Sequence, residues 1–391
     1  MEFGLFDWID RDPLLLADTY EQRLQVLAAA DELGYWCYHL AEHHGTPLGM
    51  APAPGLFLAA AAQRTRRIRL GPLVYLLPLY DPVRLAEEIA MLDHLSRGRL
   101  ELGIGRGASP YELAMLNVDV AETKAMFDEA LAVILMGLTT GRVDYAGQHY
   151  HYRDVLLPTR PYQQPYPPLW YPTSNPASMP WVGQQRFSTL WTHTSRDLAE
   201  QRAMIAAYEQ ALAGPPAGAA PNAPALAGPP APGVLSEQAL AGPPAGGAAL
   251  NEQALANPPP GGAAPLAARG ALNAHVSRPR YGLVRHVCVA PTDAEALAAA
   301  RAAWPAWHSS FNFLWRLHDN PRHEASAAFD GAVESGMAVV GSPATVVARL
   351  RAIFAATGGN YFAACVSWGS LTLDQQLTSL RLFAEQAMPA F

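Results

Sequence analysis

The chain has 391 residues, half of them hydrophobic, a net charge of −7 and a pI of about 5.9. That length can fill one large core, and the mild acidity, with no Lys/Arg cluster, argues against a nucleic-acid partner. Cys37, Cys288 and Cys365 lie far apart and the opening Met1-Glu2-Phe3-Gly4-Leu5-Phe6-Asp7 lacks a basic-then-apolar pattern, so a reducing cytoplasm is the expected location. The longest uncharged stretch, residues 210–236, is broken repeatedly by Pro and Gly, so no membrane span is expected.

In chain order, residues 3–6 read as a strand, and 20–33 as a helix that stops at Gly34. Residues 35–40 are strand-like, 56–65 an Ala-rich helix, and 68–77 a second apolar strand. A helix over 83–95 begins after Asp81-Pro82 and ends before Gly98, and 99–104 is another strand. A helix over 121–138 precedes an irregular stretch, 141–168, rich in Tyr, His and Pro. Short strands at 169–172 and 188–191, a helix at 195–212 and a strand at 281–290 follow. The last elements are helices at 293–304 and 343–356, the second capped by Ser342, and a strand at 361–368. Eight strand candidates alternating with helices point to an α/β fold, a (β/α)8 TIM barrel with insertions, formed as one domain over 1–391.

Residues 214–279 stand apart. They are built from Ala, Gly, Pro and Leu, and "EQALA" recurs at Glu209, Glu237 and Glu252. Such composition lacks a periodic core face and reads as a flexible insertion, a surface loop or a lid.

Three motifs bear on the chemistry. His39-Leu40-Ala41-Glu42-His43 has the H-x-x-E-H spacing of a zinc site, which requires a helix. Here it follows a strand, where the two histidines would lie roughly 13 Å apart, too far to share one ion. The alternative places Glu42-His43-His44 just past the second strand, on the barrel face where active sites form, with a solvated loop as the plain reading. Gly103-Ile104-Gly105-Arg106-Gly107-Ala108 imitates a dinucleotide fingerprint, but Ser109-Pro110 interrupt it and helical pattern resumes only later. It reads either as a tight turn or as a close backbone approach with Arg106 offered to a phosphate. Pro172-Thr173-Ser174-Asn175-Pro176-Ala177-Ser178 offers hydroxyls, an amide and free N–H groups at a helix start, suited to an oxyanion or phosphate.

Taken in order, these pieces resemble the bacterial luciferase-like flavin-dependent monooxygenase family. Phe3-Gly4-Leu5-Phe6, Ala41-Glu42-His43-His44-Gly45, Gly71 to Pro78, Asp81 to Glu87 and Leu92 to Arg99 carry the likeness. So do Gly103 to Gly107, Pro172 to Asn175, Gly341 to Val346 and the closing Met388-Pro389-Ala390-Phe391. The resemblance implies reduced FMN as cofactor, supplied by a separate flavin reductase, with O2 delivering one oxygen atom to a small organic substrate. It places His43 at the chemistry. It puts Leu73 and Val74 against the isoalloxazine ring at a strained peptide bond, and Glu87 on the flavin side of the next helix. It assigns Arg106 to the FMN phosphate, and Thr173, Ser174, Asn175 and Ser178 to the ribityl and phosphate end. It also implies a homodimer. Luciferases proper have a reactive cysteine where this chain has Gly105, so light emission is not carried over. Two other readings stand beside it: a deazaflavin-dependent hydride-transfer oxidoreductase, and a non-catalytic flavin-binding barrel subunit. Trp8, Tyr75, Trp181 and Trp368 either line a substrate pocket or pack in the core.

Overall fold

Alternating apolar runs and helices close into a (β/α)8 barrel with insertions in the computed structural model, which describes residues 1–191, 197–214, 270–320 and 328–391. Strand β1 (Glu2–Asp7) leads to helix α1 (Leu16–Leu33), which ends at Gly34 in the left-handed region, φ 82°, where a Cβ would be strained. β2 (Cys37–Leu40) and α2 (Pro54–Arg64) follow, then β3 (Arg69–Pro72) and β4 (Tyr75–Leu76), the two halves of the single expected strand over 68–77. α3 (Pro82–Leu95) starts as expected, with the Asp81 carboxylate accepting the Arg84 N–H and Pro82 at its first position.

β5 (Leu102–Gly105) runs into α4 (Pro110–Met115) and then α5 (Thr123–Thr140). α4 corrects the reading that helix resumes only well after Ser109-Pro110: Ser109 caps it and Pro110 is its first residue. The irregular stretch contains a hairpin, β6 (Arg142–Ala146) against β7 (His151–Leu156). The next strand–helix units are β8 (Leu169–Trp170) with α6 (Met179–Gln184), and β9 (Thr189–Trp191) with α7 (Leu198–Ala213). β10 (Tyr281–Val289), α8 (Asp293–Phe311), α9 (Phe313–Leu317), α10 (Phe329–Glu334), β11 (Ala338–Gly341), α11 (Pro343–Thr357), β12 (Tyr361–Cys365) and α12 (Leu373–Leu382) complete the chain.

The ring is parallel. β12 pairs with β1, β1 with β2, and β2 with β3. Leu70 bridges to Leu100, and β4 pairs with β5. β5 pairs with β8, Trp170 bridges to Ser188, β9 pairs with β10, and β10 returns to β12. β11, which the sequence did not announce, extends the end of β10 through His286–Ala338 to Val289–Gly341. The seam between first and last strands is tied by a buried polar group: Asp10 accepts the Gly369 N–H at 2.8 Å, and Arg23 pairs with Asp7 at 3.1 Å. Burial pushes the Asp10 carboxyl up to about 7.

α8 continues through Pro305 to Phe311, well past residue 304, and lies across the strand ends. The Thr46 hydroxyl donates to the Ser310 carbonyl, and Trp304 and Trp307 pack with Trp8 and Trp368 around the ring of His286. Ser342 does not cap α11 with its side chain; Asp293 of α8 accepts the Ser342 N–H and the Thr345 hydroxyl instead. Of the Ala/Gly/Pro-rich stretch 214–279, residues 215–269 lie outside the described residues. Its end is packed: buried Asn273 accepts the Leu169 N–H and donates to the Leu169 and Arg186 carbonyls, tying the start of β8 to the turn before β9.

Candidate active site

Four neighbouring strands, β2, β3, β5 and β8, deliver the sequence-marked residues to one end of the barrel. His43 and His44 lie just beyond β2, and each is held by a carboxylate. His43 Nδ1 lies 3.1 Å from Glu112 Oε1, and the His44 N–H donates to Glu112 Oε2 at 3.0 Å. His44 Nε2 lies 2.8 Å from Glu42 Oε1. Glu42 is buried and its second oxygen accepts the Tyr80 hydroxyl at 2.9 Å and the Leu76 N–H at 3.3 Å. Burial raises the Glu42 carboxyl, while its hydrogen bond raises the His44 imidazole. The Glu42 carboxylate keeps two further donors that favour its charged form, and the charged carboxylate in turn favours the His44 imidazolium.

His39 takes no part in this cluster. It is fully buried inside the barrel, its Nε2 3.0 Å from the Tyr361 hydroxyl, and burial pushes its imidazole down to about 3. The two ends of the zinc-like spacing thus engage different partners.

Leu73 and Val74 span the turn between β3 and β4, and a cis peptide bond joins them. β5 approaches them closely. A Cβ on Gly103 would meet the Pro72 carbonyl at 2.1 Å, and one on Gly105 would meet Val74 Cγ2 at 2.6 Å. A larger side chain at 105 would therefore collide with Val74 unless that side chain moved. Arg106, the next residue, is exposed; burial raises the Tyr171 hydroxyl, and the Arg106 guanidinium beside it partly opposes that rise.

Beyond β8, Thr173 and Ser178 are half-buried and Ser174 and Asn175 exposed. The expectation of free N–H groups at this helix start is corrected. Thr173 Oγ1 accepts the Asn175 N–H, Asn175 Oδ1 accepts the Ala177 N–H, and backbone carbonyls take those of Ser178 and Met179. With those four N–H groups engaged, the polar side chains of this loop, together with Arg106 at the end of β5, are the groups on this side of the mouth suited to an anion. Glu87 is half-buried on α3, but its neighbour Glu88 is the one that reaches a strand-end residue, accepting the Tyr75 hydroxyl at 2.7 Å.

Trp8 and Trp368 belong to one buried apolar cluster that also contains Ala41, Leu48, Leu73, Trp304 and Trp307. Trp181 packs against Tyr171 and Phe187 instead, and Tyr75 is fully buried. Sequence reasoning missed Glu112 and Tyr80. Each is separated from the histidines by a whole strand–helix step, and an acidic residue or a tyrosine in a loop or short helix carries no spacing signal. α4, which brings Glu112, is itself fastened across the barrel mouth. Tyr111 stacks on His318 at 4.1 Å, meets Trp315 edge-on at 5.2 Å, and its hydroxyl accepts from Asn320.

Comparison with known proteins adds four findings. The sequence model of the family described as luciferase-like monooxygenase matches residues 1–242 and 261–361. The uncharacterized protein y4wF of Sinorhizobium fredii is 33% identical over 389 residues, covering 99% of this chain and 96% of that one. The oxygenase component of a flavin-dependent trigonelline monooxygenase from Acinetobacter baylyi is 31% identical over 182 residues, 46% of this chain and 50% of that one. Among solved structures, the oxygenating constituent of 3,6-diketocamphane monooxygenase from Pseudomonas putida, in complex with FMN, superposes with a TM-score of 0.72. The identity is 21%, with 100% of this chain and 98% of that chain covered, a likeness of fold.

Proposed function

The chain belongs to the luciferase-like monooxygenase family, and from that premise we propose that it uses reduced FMN and O2 to place one oxygen atom in a small organic substrate. The observation that carries the reading is the convergence, on four adjacent strand ends, of His43, the Leu73–Val74 turn, Arg106 and the Thr173–Ser178 hydroxyls.

These residues fit FMN by their chemistry. Arg106 presents an exposed cationic fork to a phosphate, and Thr173, Ser174, Asn175 and Ser178 surround the ribityl and phosphate end with polar groups. Leu73 and Val74, backed by the side-chain-free Gly103 and Gly105, give the ring an apolar surface, with Glu87 on the helix behind. Bound reduced flavin supplies the electrons that activate O2. His43 takes or returns a proton at Nε2, since Nδ1 is engaged by Glu112. The Trp8, Trp307 and Leu48 side chains exclude water from this side of the mouth. A separate flavin reductase delivers the cofactor. The protein works as a homodimer in the cytoplasm; no helix among the described residues is long and apolar enough to cross a membrane.

The test is twofold. Anaerobic titration with reduced FMN should saturate, and Arg106→Ala should weaken binding by about 10-fold or more, the loss of a charge-assisted phosphate contact. With a panel of apolar ketones, terpenes and N-heterocycles, O2 uptake should depend on substrate and fall about 100-fold in His43→Ala. Turnover without O2 would sink the reading in favour of hydride transfer, and flavin binding without substrate-dependent O2 uptake would favour a non-catalytic subunit.

A further inference from the structure

We propose that Glu112 is the positioning residue of His43: its carboxylate fixes the imidazole as the Nδ1–H tautomer and so leaves Nε2 as the ring's only acceptor. This deepens the functional reading above and rests on it for the identity of the reaction, though not for the geometry.

Hydrogen bonding decides which ring nitrogen carries the proton. Glu112 Oε2 faces the His44 N–H at 3.0 Å, and a backbone N–H can only donate. Glu112 Oε1 faces His43 Nδ1 at 3.1 Å. A carboxylate accepts at both oxygens, so one side chain satisfies both contacts only if Nδ1 carries the hydrogen. The tautomer of a histidine is set by the bond its other nitrogen makes.

Desolvation and rigidity make the contact effective. The Glu112 side chain is only 5% exposed and that of His43 25%, so water competes weakly for the pair. Glu112 sits in the first turn of α4, whose cap is the Ser109 side chain. Its neighbour Tyr111 is clamped by His318, Trp315 and Asn320 from the far side of the mouth. The carboxylate is therefore held from both sides of the barrel opening rather than carried on a free loop.

Glutamine is close to isosteric with glutamate but accepts only at its oxygen, its other terminal atom being an NH2 donor. In Glu112→Gln the amide oxygen takes the His44 N–H, and the amide NH2 is turned toward Nδ1, which must then be the acceptor. The substitution should reverse the tautomer without a change of volume. Selective 15N labelling of histidine, with His43→Ala to assign the resonance, reads this directly in the flavin-free protein at mildly alkaline pH. The native protein should show Nδ1–H and Glu112→Gln should show Nε2–H. In turnover, Glu112→Gln should lower kcat by about 10-fold or more with KM changed less than about threefold, the pattern of a misoriented acid–base group. Circular dichroism and thermal melting check that the variant is folded, and Glu112→Ala, which leaves Nδ1 without its acceptor and should give a mixture of tautomers, serves as the second variant. A native Nε2–H tautomer, or a resonance unmoved by both variants, overturns the proposal. If His43→Ala leaves O2-dependent turnover intact, the functional reading falls while the tautomer result stands by itself.

Discussion

His44 and Glu42 form the second carboxylate–imidazole contact of the site, and its energetics are readable from pH. The His44 imidazole is raised by its hydrogen bond to Glu42, against a smaller opposing effect of burial. A raised imidazole contributes stability that is fully present below the unfolded value, about 6.5, and is lost as pH rises through the folded value. His44→Gln keeps a donor toward Glu42 but no charge. It should therefore destabilise by about 1.5–3 kcal/mol at pH 5.5, a hydrogen bond to a charged group, and progressively less at alkaline pH. Urea unfolding at a series of pH values measures this, and a pH-independent difference would contradict it. At this scale the sequence was informative where side chains are neighbours along the chain. His43 and Arg106 were legible as strand-end motifs, whereas Leu73–Val74 lay inside the expected strand over 68–77 and was marked only by the resemblance; a cis peptide bond joins the two. Glu112 was not, because its partner lies 69 residues away and the pairing exists only after β2 and α4 are brought together.

Among elements, the barrel strands with apolar cores were plain, and so were helices with recognisable ends such as α1 at Gly34 and α3 at Asp81-Pro82. What escaped has a physical explanation in each case. β6 and β7 are an outlying hairpin with mostly exposed side chains, so no apolar alternation marks them. β11 is four residues long and takes its stability from the edge of β10 rather than from its own propensity. α8 overran its expected end because Pro305 normally stops a helix, yet apolar packing of Trp304 and Trp307 keeps it intact to Phe311. α4 is six residues, too short to hold its place unaided. Tyr111→Ala removes its stacking on His318 and its edge contact with Trp315, worth about 1–3 kcal/mol together. Hydrogen exchange at residues 111–116 should accelerate by about 10-fold or more while strand amides stay protected. Unchanged exchange would mean that α4 is held by something other than this contact.

For the whole molecule, the structure closes the ring, and the homodimer is the assembly we propose. Closure brings β12 against β1, and Asp10 bridges from one to the turn beyond the other through the Gly369 N–H. Its carboxyl, raised by burial from 3.8 to about 7, favours the protonated form in the folded state. The contribution is fully present below about 4 and is lost as pH rises through 7. Asp10→Asn still accepts from Gly369 and should flatten that slope, making the variant relatively more stable at pH 8 than at pH 4 by on the order of 2–4 kcal/mol. The same slope in both proteins would refute this. As for association, α2 and α3 expose Leu56, Met91 and Leu95 at 77%, 57% and 45%. Met91→Glu should convert a dimer to a monomer in light scattering, and a native monomer at micromolar concentration would end the idea.

The helix laid over the barrel mouth has an optical consequence. Of nine tryptophans in the chain, Trp304 and Trp307 lie 4.7 Å apart by ring centroid, with Trp8 at 5.8 Å from Trp307 and Trp368 at 5.9 Å from Trp304. Indoles so close and so tilted exchange excitation among themselves, and the same cluster contains Leu73, the residue given to the flavin surface. The protein thus contains its own antenna beside the proposed cofactor. Excitation of the indoles should drain to an oxidised flavin placed there, so that loss of ultraviolet emission reports binding, and its recovery reports release, without any added dye.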